Sequence, residues 1–422
     1  MSRATYTMNQ NKTKLSIVAL TLVVAATASA WDIKVGQEKN VTLHGFLSQG
    51  FLASGEYDYL GETTDGSFDF TEVGINATYS PFNRTRLAVQ GFAFDVGEIG
   101  NLKPFLDYAS LEYTFNNAIG IRGGRVRRAA GIYNHIQDVD LARTSVLLPQ
   151  GMYDARWRDF SSSMDGAVLF GNLSLGKAGS LSYELYSGFG TLSTEGGVAR
   201  WIEDANLPMV STVTDFNQPL YLGAQVWWNT PVSGLRAGVS LAKMYDFGFS
   251  ITTPQGVHPL LGPINAYTVA ESEVFVQQYS LEYLWNSWTF QAEYSTFRYA
   301  GDNITSVLAG TMPIMPDSFL TQSVGPDTWY VSAAYRVNKW LEVGTYYTEH
   351  YGDTSHRSGA ADASQKDWAL SFRFDAKDWW IIKAEGHLIH GTALLQDQTR
   401  NPVAQQDDDA WFLLALKTTF SF

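Results

Sequence analysis

The chain of 422 residues contains no cysteine, which excludes disulfide bonds, thiolate metal sites and cysteine nucleophiles. Such a composition suits a periplasmic or outer-membrane location, where an unpaired thiol would be at risk of oxidation. Charged residues are scarce, at 17% against about a quarter in soluble proteins. After residue 30 no stretch of about 18 apolar residues occurs, which excludes a helical membrane protein. Aromatic residues reach 14%, too many for intrinsic disorder. The combination fits a transmembrane β-barrel, whose apolar residues are diluted by alternation.

Sequence motifs of catalysis and metal binding are missing too. The chain has no HExxH, no P-loop, no strand-linked GxGxxG and no GxSxG. His387 and His390 are three apart on a predicted strand, so they point to opposite faces and cannot share a ligand. The run 407–409 is three aspartates, which either attract a divalent cation or form a solvated loop tip. We therefore predict no enzyme activity, no cofactor and no metal site.

Residues 1–30 have the pattern of a secretory signal peptide. Lys12 and Lys14 precede an apolar stretch over 15–27, and Ala28-Ser29-Ala30 is a small-x-small cleavage site. The alternative is an N-terminal anchor helix, for which the apolar stretch is short. A lipoprotein is excluded because there is no cysteine. Removing the three basic residues of this segment leaves 26 Lys and Arg against 42 Asp and Glu, a net charge of −16. That charge argues against nucleic acid as a partner.

The remaining chain, 31–422, alternates between apolar and polar residues with period 2. In 288–295, for example, Trp, Phe, Ala and Tyr alternate with Thr, Gln, Glu and Ser. In a soluble β-sandwich the apolar face would form the core, whereas in a transmembrane barrel it would face lipid. Sixteen such segments are predicted, an even number as bacterial barrels require. They cover 41–54, 67–79, 85–96, 105–116, 118–128, 164–174, 180–190, 220–229, 235–247, 273–285, 288–300, 327–337, 340–351, 366–374, 379–390 and 409–422.

Short and long connections between these segments alternate strictly. Turns such as 80–84, 229–234 and 375–378 are rich in Asn, Asp, Pro and Gly, whereas 129–163 and 191–219 are long. This alternation predicts an all-β, antiparallel, up-and-down barrel with short periplasmic turns and long external loops. Ten of the 13 Trp lie at predicted strand ends, as an interfacial aromatic girdle requires. They are Trp227, Trp228, Trp285, Trp288, Trp329, Trp340, Trp368, Trp379, Trp380 and Trp411.

The chain ends in Lys417-Thr418-Thr419-Phe420-Ser421-Phe422, and an alternating strand closed by a terminal Phe resembles the assembly signal of bacterial porins. The region from Gly123 to Gly166, which includes Gly123-Gly124-Arg125-Val126-Arg127-Arg128, resembles the third-loop region of proteobacterial porins distantly similar to the phosphate-selective group. These resemblances imply a sixteen-stranded general porin in the outer membrane of a Gram-negative bacterium. They also imply a homotrimer, contact with outer-membrane lipid and lipopolysaccharide, and recognition of Phe422 by the barrel assembly machinery.

Sixteen strands leave an aqueous lumen, so selectivity depends on what narrows it. By the resemblance, residues 129–163 fold into the barrel, although an ordinary external loop remains the alternative. Strand parity and the charge of this segment together give the candidate pore-lining and constriction residues. They are Arg122, Arg125, Asp138, Asp140, Arg143, Arg156, Arg158, Asp159, Glu184, Glu293, Lys383 and Lys417. Basic and acidic members fall on different strands, which suggests a transverse field across the pore.

The sequence is therefore typical of a channel for passive diffusion of small hydrophilic solutes. A second reading is a substrate-specific channel for oligosaccharides or organic acids and anions, in which Tyr221, Trp227 and Tyr330 form a stacking track. A third is a surface adhesin or a barrel enzyme, which predicts a plugged lumen without conductance.

Overall fold

The computed structural model describes residues 31–35, 39–206, 209–354, 360–395, 400–402, 406–407 and 410–422, apart from the side chains of 31–40 and 159. The predicted signal peptide lies outside the described residues. Within these ranges, twenty strands form one antiparallel sheet. Sixteen of them build the wall of a closed barrel, as predicted. These are β2 (Lys39–Ser54), β3 (Phe70–Tyr79), β4 (Thr85–Val96), β5 (Phe105–Asn116), β6 (Ile119–Arg127), β7 (Ser163–Ser174), β8 (Ser180–Phe189), β10 (Leu220–Asn229), β11 (Leu235–His258), β12 (Gly262–Trp285), β13 (Trp288–Ala309), β16 (Asp327–Asn338), β17 (Leu341–Tyr351), β18 (Ser364–Lys377), β19 (Trp380–Gly391) and β20 (Ala410–Ser421).

The remaining strands extend this wall. They are β1 (Trp31–Val35), β9 (Thr212–Asn217), β14 (Met312–Pro313) and β15 (Ser318–Val324). Two helices, α1 (Arg158–Ser161) and α2 (Gly197–Ala205), lie in the long connections. Neither has the length and hydropathy needed to cross a bilayer, nor does any other helix within the described ranges. Single 3₁₀ turns cover Asn134–Ile136, Asp140–Ala142, Ala155–Trp157, Gly176–Ala178 and Ala361–Ala363.

The barrel closes between its first and last strands. β2 pairs with β20 from Phe46 opposite Ser421 to Ser54 opposite Leu413. The seam is antiparallel like every other pairing in the sheet, so the closed wall leaves no free edge along its height. We call the rim that carries the tight turns the short-turn end and the opposite rim the long-loop end.

Three strands are longer than the sequence analysis predicted. β11, β12 and β13 run past the barrel wall through 248–272 and 301–309, which we had interpreted as loops. β9 and β15 pair with their extensions, at Gly248–Thr252 and Tyr299–Thr305 respectively. Pro254 lies in the β11 extension beside a β-bulge, where an irregular register tolerates proline.

Strand parity divides the wall as expected for a membrane barrel. On β10 the side chains of Leu222, Val226 and Trp228 point outward and are 44%, 37% and 42% exposed. Those of Tyr221 and Gln225 point inward and are buried. Trp228, Trp285, Trp288 and Trp340 are exposed near the short-turn end, which agrees with an aromatic girdle. Trp227 and Trp411 do not belong to the girdle, because both are buried inside.

The interior is polar only in part. Inward side chains near the short-turn end and at mid-height are mainly polar, apart from a small cluster that includes Ile132, Trp227 and Tyr330. Those in the long-loop half form two larger apolar clusters. The first gathers residues of β6–β8, β10–β12, α1 and α2, including Val126, Phe160, Met164, Tyr186, Val198, Tyr221 and Met244. The second includes Leu52, Tyr57, Tyr59, Val146, Leu147, Ile389, Trp411 and Leu413. A lumen that is wet throughout was the expectation. It is wrong for this half because the long connections bring apolar partners inside.

Candidate functional site

Residues 129–163 connect β6 to β7 and lie inside the barrel; we call them the inner loop. Its two ends meet where the Arg128 N–H donates to the Ser162 carbonyl oxygen at 2.9 Å. The Arg128 guanidinium also donates to the carbonyl of Ser161. Because its ends are held together at the wall, the loop crosses the lumen and returns. Its side chains and backbone contact inward residues on opposite walls.

Two lysines of the barrel wall, Lys383 and Lys417, contact the inner loop at Asp140. The Asp140 carboxylate lies 2.9 Å from Lys417 Nζ and 3.5 Å from Lys383 Nζ, and accepts a hydrogen bond from Thr419 at 2.6 Å. Lys417 also pairs with Glu72. The side chains of Asp140, Lys383 and Lys417 are each only 1% exposed. Buried charges of this kind are stable only when paired, so the loop and the wall depend on each other here.

The neighbouring Glu385 holds the loop by its backbone. Its two carboxylate oxygens accept the N–H groups of Val146 and Leu147 at 2.9 and 2.8 Å. They also meet Ser371 Oγ at 2.5 Å and His387 Nε2 at 3.0 Å. The other ring nitrogen of His387 lies 3.0 Å from Asp367. This buried carboxylate therefore satisfies two backbone donors that would otherwise be unpaired inside the protein.

The opposite wall holds the loop at Glu293 of β13. Glu293 accepts the Ile132 N–H at 3.0 Å and hydrogen bonds from the hydroxyls of Tyr153 at 2.5 Å and Tyr330 at 2.8 Å. Ser280 on β12 donates to the same carboxylate at 2.5 Å. Two points of the loop, near 132 and 153, thus meet one wall carboxylate. This explains how a chain with little regular structure keeps one position in the lumen.

A third contact joins the loop to β4–β6. The Arg127 guanidinium bridges Asp138 of the loop, at 2.7 Å, and Asp107 of the wall, at 2.6 Å. Arg158 reaches Asp107 from the other side at 3.1 Å, and Gln90 donates to both aspartates. Burial would raise the pKa of Asp138, but the Arg127 charge outweighs that effect and holds the pKa well below its usual range. Asp138 is therefore a carboxylate at neutral pH.

The structure places the predicted site residues in four surroundings. The contacts between the inner loop and the wall include Asp138, Asp140, Arg158, Glu293, Lys383 and Lys417. Arg143 and Arg156 pair within the loop, with Asp140 at 3.1 Å and Asp154 at 2.5 Å respectively. Arg122 lies 2.8 Å from Glu112 and 3.7 Å from Glu184, on the wall beneath the loop. Arg125 pairs with Asp165 at 2.8 Å on the outward parity of β6 and β7. The side chain of Asp159 lies outside the described part of the structure.

The pairing of Lys383 and Lys417 with Asp140 bears on the suggested transverse field. Both ammonium groups contact the loop carboxylate, and the 1% exposure of their side chains removes them from any open passage. Arg143 joins the same group, 3.1 Å from Asp140. The charges of Lys383 and Lys417 are therefore neutralised locally by the loop.

Two cavities remain between the inner loop and the short-turn end. Cavity 1 has a volume of about 240 Å³ and lies against β13 and β16–β18. Its polar lining includes Arg143, Thr144, Gln291, Arg336, Glu342 and Arg373, with Tyr133, Tyr330 and Tyr346. Cavity 2, of about 370 Å³, lies against β7, β8, β10 and β11. It is lined by His135, Asn172, Ser182, Glu184, Gln225, Trp227 and Arg236, among others.

Sequence reasoning missed much of this lining. Arg336 and Arg373 lie close to short turns, and such positions alone predict solvated residues at the rim. Tyr133 and Thr144 carry no charge and lie in a segment without regular alternation, so parity could not assign them. Within the described ranges, no three His, Asp or Glu side chains are grouped to hold a metal ion. Asp408 and Asp409, the last two of the acidic run, lie outside the described residues.

Comparison with solved structures identifies this architecture. An anion-selective porin from Comamonas acidovorans matches with a TM-score of 0.52 and 12% identity, covering 91% of this chain and 100% of the other. The fold is that of an outer-membrane porin. The outer membrane channel DcaP of Acinetobacter baumannii gives 0.51 and 11%, covering 92% and 99%. OmpF of Salmonella typhi in complex with daunomycin gives 0.51 and 12%, covering 93% and 100%. No family model and no curated protein matches the chain.

Proposed function

We propose that this porin-fold barrel is a channel of the outer membrane of a Gram-negative bacterium, through which small hydrophilic solutes diffuse. One observation carries the proposal. The outer face of the closed wall is apolar, whereas the interior beneath the inner loop is polar and contains two cavities. An apolar outer face would be exposed to water in a soluble protein, whereas in a membrane barrel it contacts lipid. The matched structures include an anion-selective porin and an outer membrane channel, which supports the same function.

The test is conductance in a planar lipid bilayer. Insertion of the mature chain should produce stepwise current increments, and vesicles containing it should swell fastest in the smallest sugars. Complete incorporation without current at any voltage would overturn the proposal and favour an adhesin or an enzyme. Reversal potentials in a salt gradient would then give the ion selectivity.

The second candidate is a substrate-specific channel, and the packing of the interior favours it. The inner loop contacts opposite walls, apolar clusters pack inside the long-loop half, and cavities of about 240 and 370 Å³ lie beneath the loop. A channel this restricted would discriminate between solutes. Conductance that saturates and is blocked by one class of solute would separate it from a general porin. The likeness to the phosphate-selective group stays a prediction.

We further propose that the short turns face the periplasm and the long loops the exterior. The apolar belt would contact membrane lipid, and the strand extensions beyond it would lie among lipopolysaccharide. A homotrimer and recognition of Phe422 by the assembly machinery remain predictions. Chemical crosslinking in native membranes tests the first, and Phe422→Ala the second, through loss of protein from the outer membrane.

A further inference from the structure

Three arginines on separate elements line cavity 1. Arg143 comes from the inner loop, Arg336 from β16 and Arg373 from β18. Among the residues lining this cavity the one carboxylate is Glu342. Guanidinium groups are the protein's usual means of binding a carboxylate, since their N–H donors match its two oxygens. Three of them around one cavity therefore indicate a site suited to a carboxylate.

The carboxylates nearby do not use all the donors of these arginines. Arg336 and Arg373 share one carboxylate, Asp375, at 2.5 and 2.7 Å, and Arg336 also lies 2.8 Å from Glu342. Glu342 in turn accepts a hydrogen bond from Thr144. The guanidinium groups of Arg336 and Arg373 thus share two carboxylates, and one of these, Glu342, also accepts a hydrogen bond from the inner loop.

Arg143 is held by the inner loop itself. Its guanidinium donates to the carbonyl oxygens of Gln137 and Val146 and to the Asp140 carboxylate, which Lys383 and Lys417 also contact. The buried Nε atom has no hydrogen-bond partner. Because Asp140 is shared among three basic groups, a further carboxylate beside Arg143 would be stabilising.

The lining of cavity 1 is rich in basic groups. Three arginines line it, against the one carboxylate of Glu342. The other carboxylates of this part of the lumen lie outside the lining and already have basic or backbone partners. They are Glu72, Asp140, Asp375 and Glu385.

Cavity 2 differs in this respect. Arg236 lies 2.7 Å from Glu282, and Arg122 is shared by Glu112 and Glu184. The Oε2 atom of Glu184 is buried without a hydrogen-bond partner. The lining of cavity 2 has one arginine, Arg236, and one carboxylate, Glu184, whereas three arginines and one carboxylate line cavity 1.

We propose that cavity 1 is a binding site for a small organic anion with one or two carboxylates, held by Arg143, Arg336 and Arg373. The inference rests on the proposed channel function and names the class of solute. Apolar lining from Leu141, Leu148, Pro149 and Ala333 covers the carbon chain, while the arginines take the carboxylate. The volume suits a single small molecule rather than an oligosaccharide.

The experiment measures equilibrium binding to the detergent-solubilised full chain by calorimetry, with three probes that share a four-carbon chain. These are succinate, the neutral 1,4-butanediol and the cationic putrescine. Succinate should bind, with an affinity that falls as salt is added, and the other two should not. Equal binding of putrescine, or no binding of succinate, overturns the proposal.

The decisive variants are Arg336→Gln and Arg236→Gln. Each removes an inward arginine near a short turn that pairs with a glutamate on the neighbouring strand, and Arg336 pairs with Asp375 as well. The two side chains are 30% and 38% exposed. Arg336→Gln should weaken succinate binding about tenfold or more, because one charged hydrogen-bonding group is lost. Arg236→Gln should leave it within about twofold. Equal losses in both would mean a general charge effect and overturn the site.

Two further measurements keep the outcome interpretable. If Arg336→Gln fails to fold, Arg336→Lys takes its place. It keeps the positive charge but not the two-pronged guanidinium geometry, so succinate binding should weaken less than in Arg336→Gln. Bilayer conductance is recorded on the same preparations. Succinate binding without conductance would retain the site and overturn the channel, whereas conductance without succinate binding would do the reverse.

Discussion

Phe422 and Gly45 exchange two backbone hydrogen bonds, from Gly45 N–H to the Phe422 oxygen at 3.1 Å and from Phe422 N–H to the Gly45 oxygen at 2.9 Å. They lie at the seam where β20 meets β2. The aromatic ring of Phe422 covers Gly45 so closely that a Cβ there would lie 2.3 Å from a ring carbon. The last residue of the chain thus completes the barrel by packing on a residue that has no side chain.

Gly45→Ala should therefore destabilise the barrel. The Phe422 ring must move to admit a methyl group, and overpacking of this kind costs about 1–3 kcal/mol. The measurement is the urea midpoint of unfolding in lipid vesicles. Gly91→Ala on β4 is the control, because a Cβ at Gly91 meets nothing within 4 Å. Equal midpoints for the two variants would show that the Phe422 ring is free to move.

The fold could be predicted from sequence because neighbouring residues of each wall strand face opposite sides of the sheet. A residue such as Leu222 faces lipid and Gln225 faces the interior, and a period of two records this difference directly in the chain. The position of the inner loop was available only by resemblance. Its contacts join residues far apart in sequence, such as Asp140 with Lys417 and Ile132 with Glu293. No local pattern contains such pairs, so the neutralisation of Lys417 by Asp140 and the two cavities could not be predicted from the sequence.

Replacing Glu385 by Gln should loosen the inner loop. The amide keeps one acceptor oxygen but presents an NH₂ group to a backbone donor, Val146 or Leu147. Hydrogen bonds to a charged group contribute about 1.5–3 kcal/mol each, so local opening should become at least about tenfold more frequent. Hydrogen exchange of these two amides reports it. Glu349→Gln is the control, since Glu349 accepts only from Tyr347 and Tyr351 among the described contacts.

The Glu385 prediction has a clear contrary outcome. Unchanged exchange at Val146 and Leu147 in Glu385→Gln, with exchange elsewhere also unchanged, would mean that the loop is held by its other contacts alone. Glu293 would then be the principal anchor. The same measurement on Glu293→Gln, read at the Ile132 amide, distinguishes the two walls.

Asp140→Asn should destabilise the whole barrel rather than the loop alone. It leaves Lys383 without its carboxylate and Lys417 with only Glu72, and both side chains are 1% exposed. Removing one partner of a buried pair costs about 3–5 kcal/mol. Because the cost comes from the uncompensated charge, Asp140→Asn combined with Lys383→Met should recover part of it. Urea unfolding measures both, and additive losses in the double variant would contradict the electrostatic explanation.

The ionisation of Asp140 should withstand acid. Burial favours its protonated form, but the charges of Lys417, Lys383 and Arg143 outweigh burial and hold the pKa of Asp140 far below its usual range. A lowered pKa in the folded state gives stability that is fully present above the unfolded pKa, about 3.9. That stability is lost only as the pH falls through the lower folded pKa. The carboxyl ¹³C shift of Asp140 should therefore stay that of a carboxylate at about pH 3, where the same carbon in the urea-unfolded chain is mostly protonated. Lys417→Met should raise the pKa of Asp140, and a midpoint near that of the unfolded chain in the unaltered protein would show that the ion pair does not form.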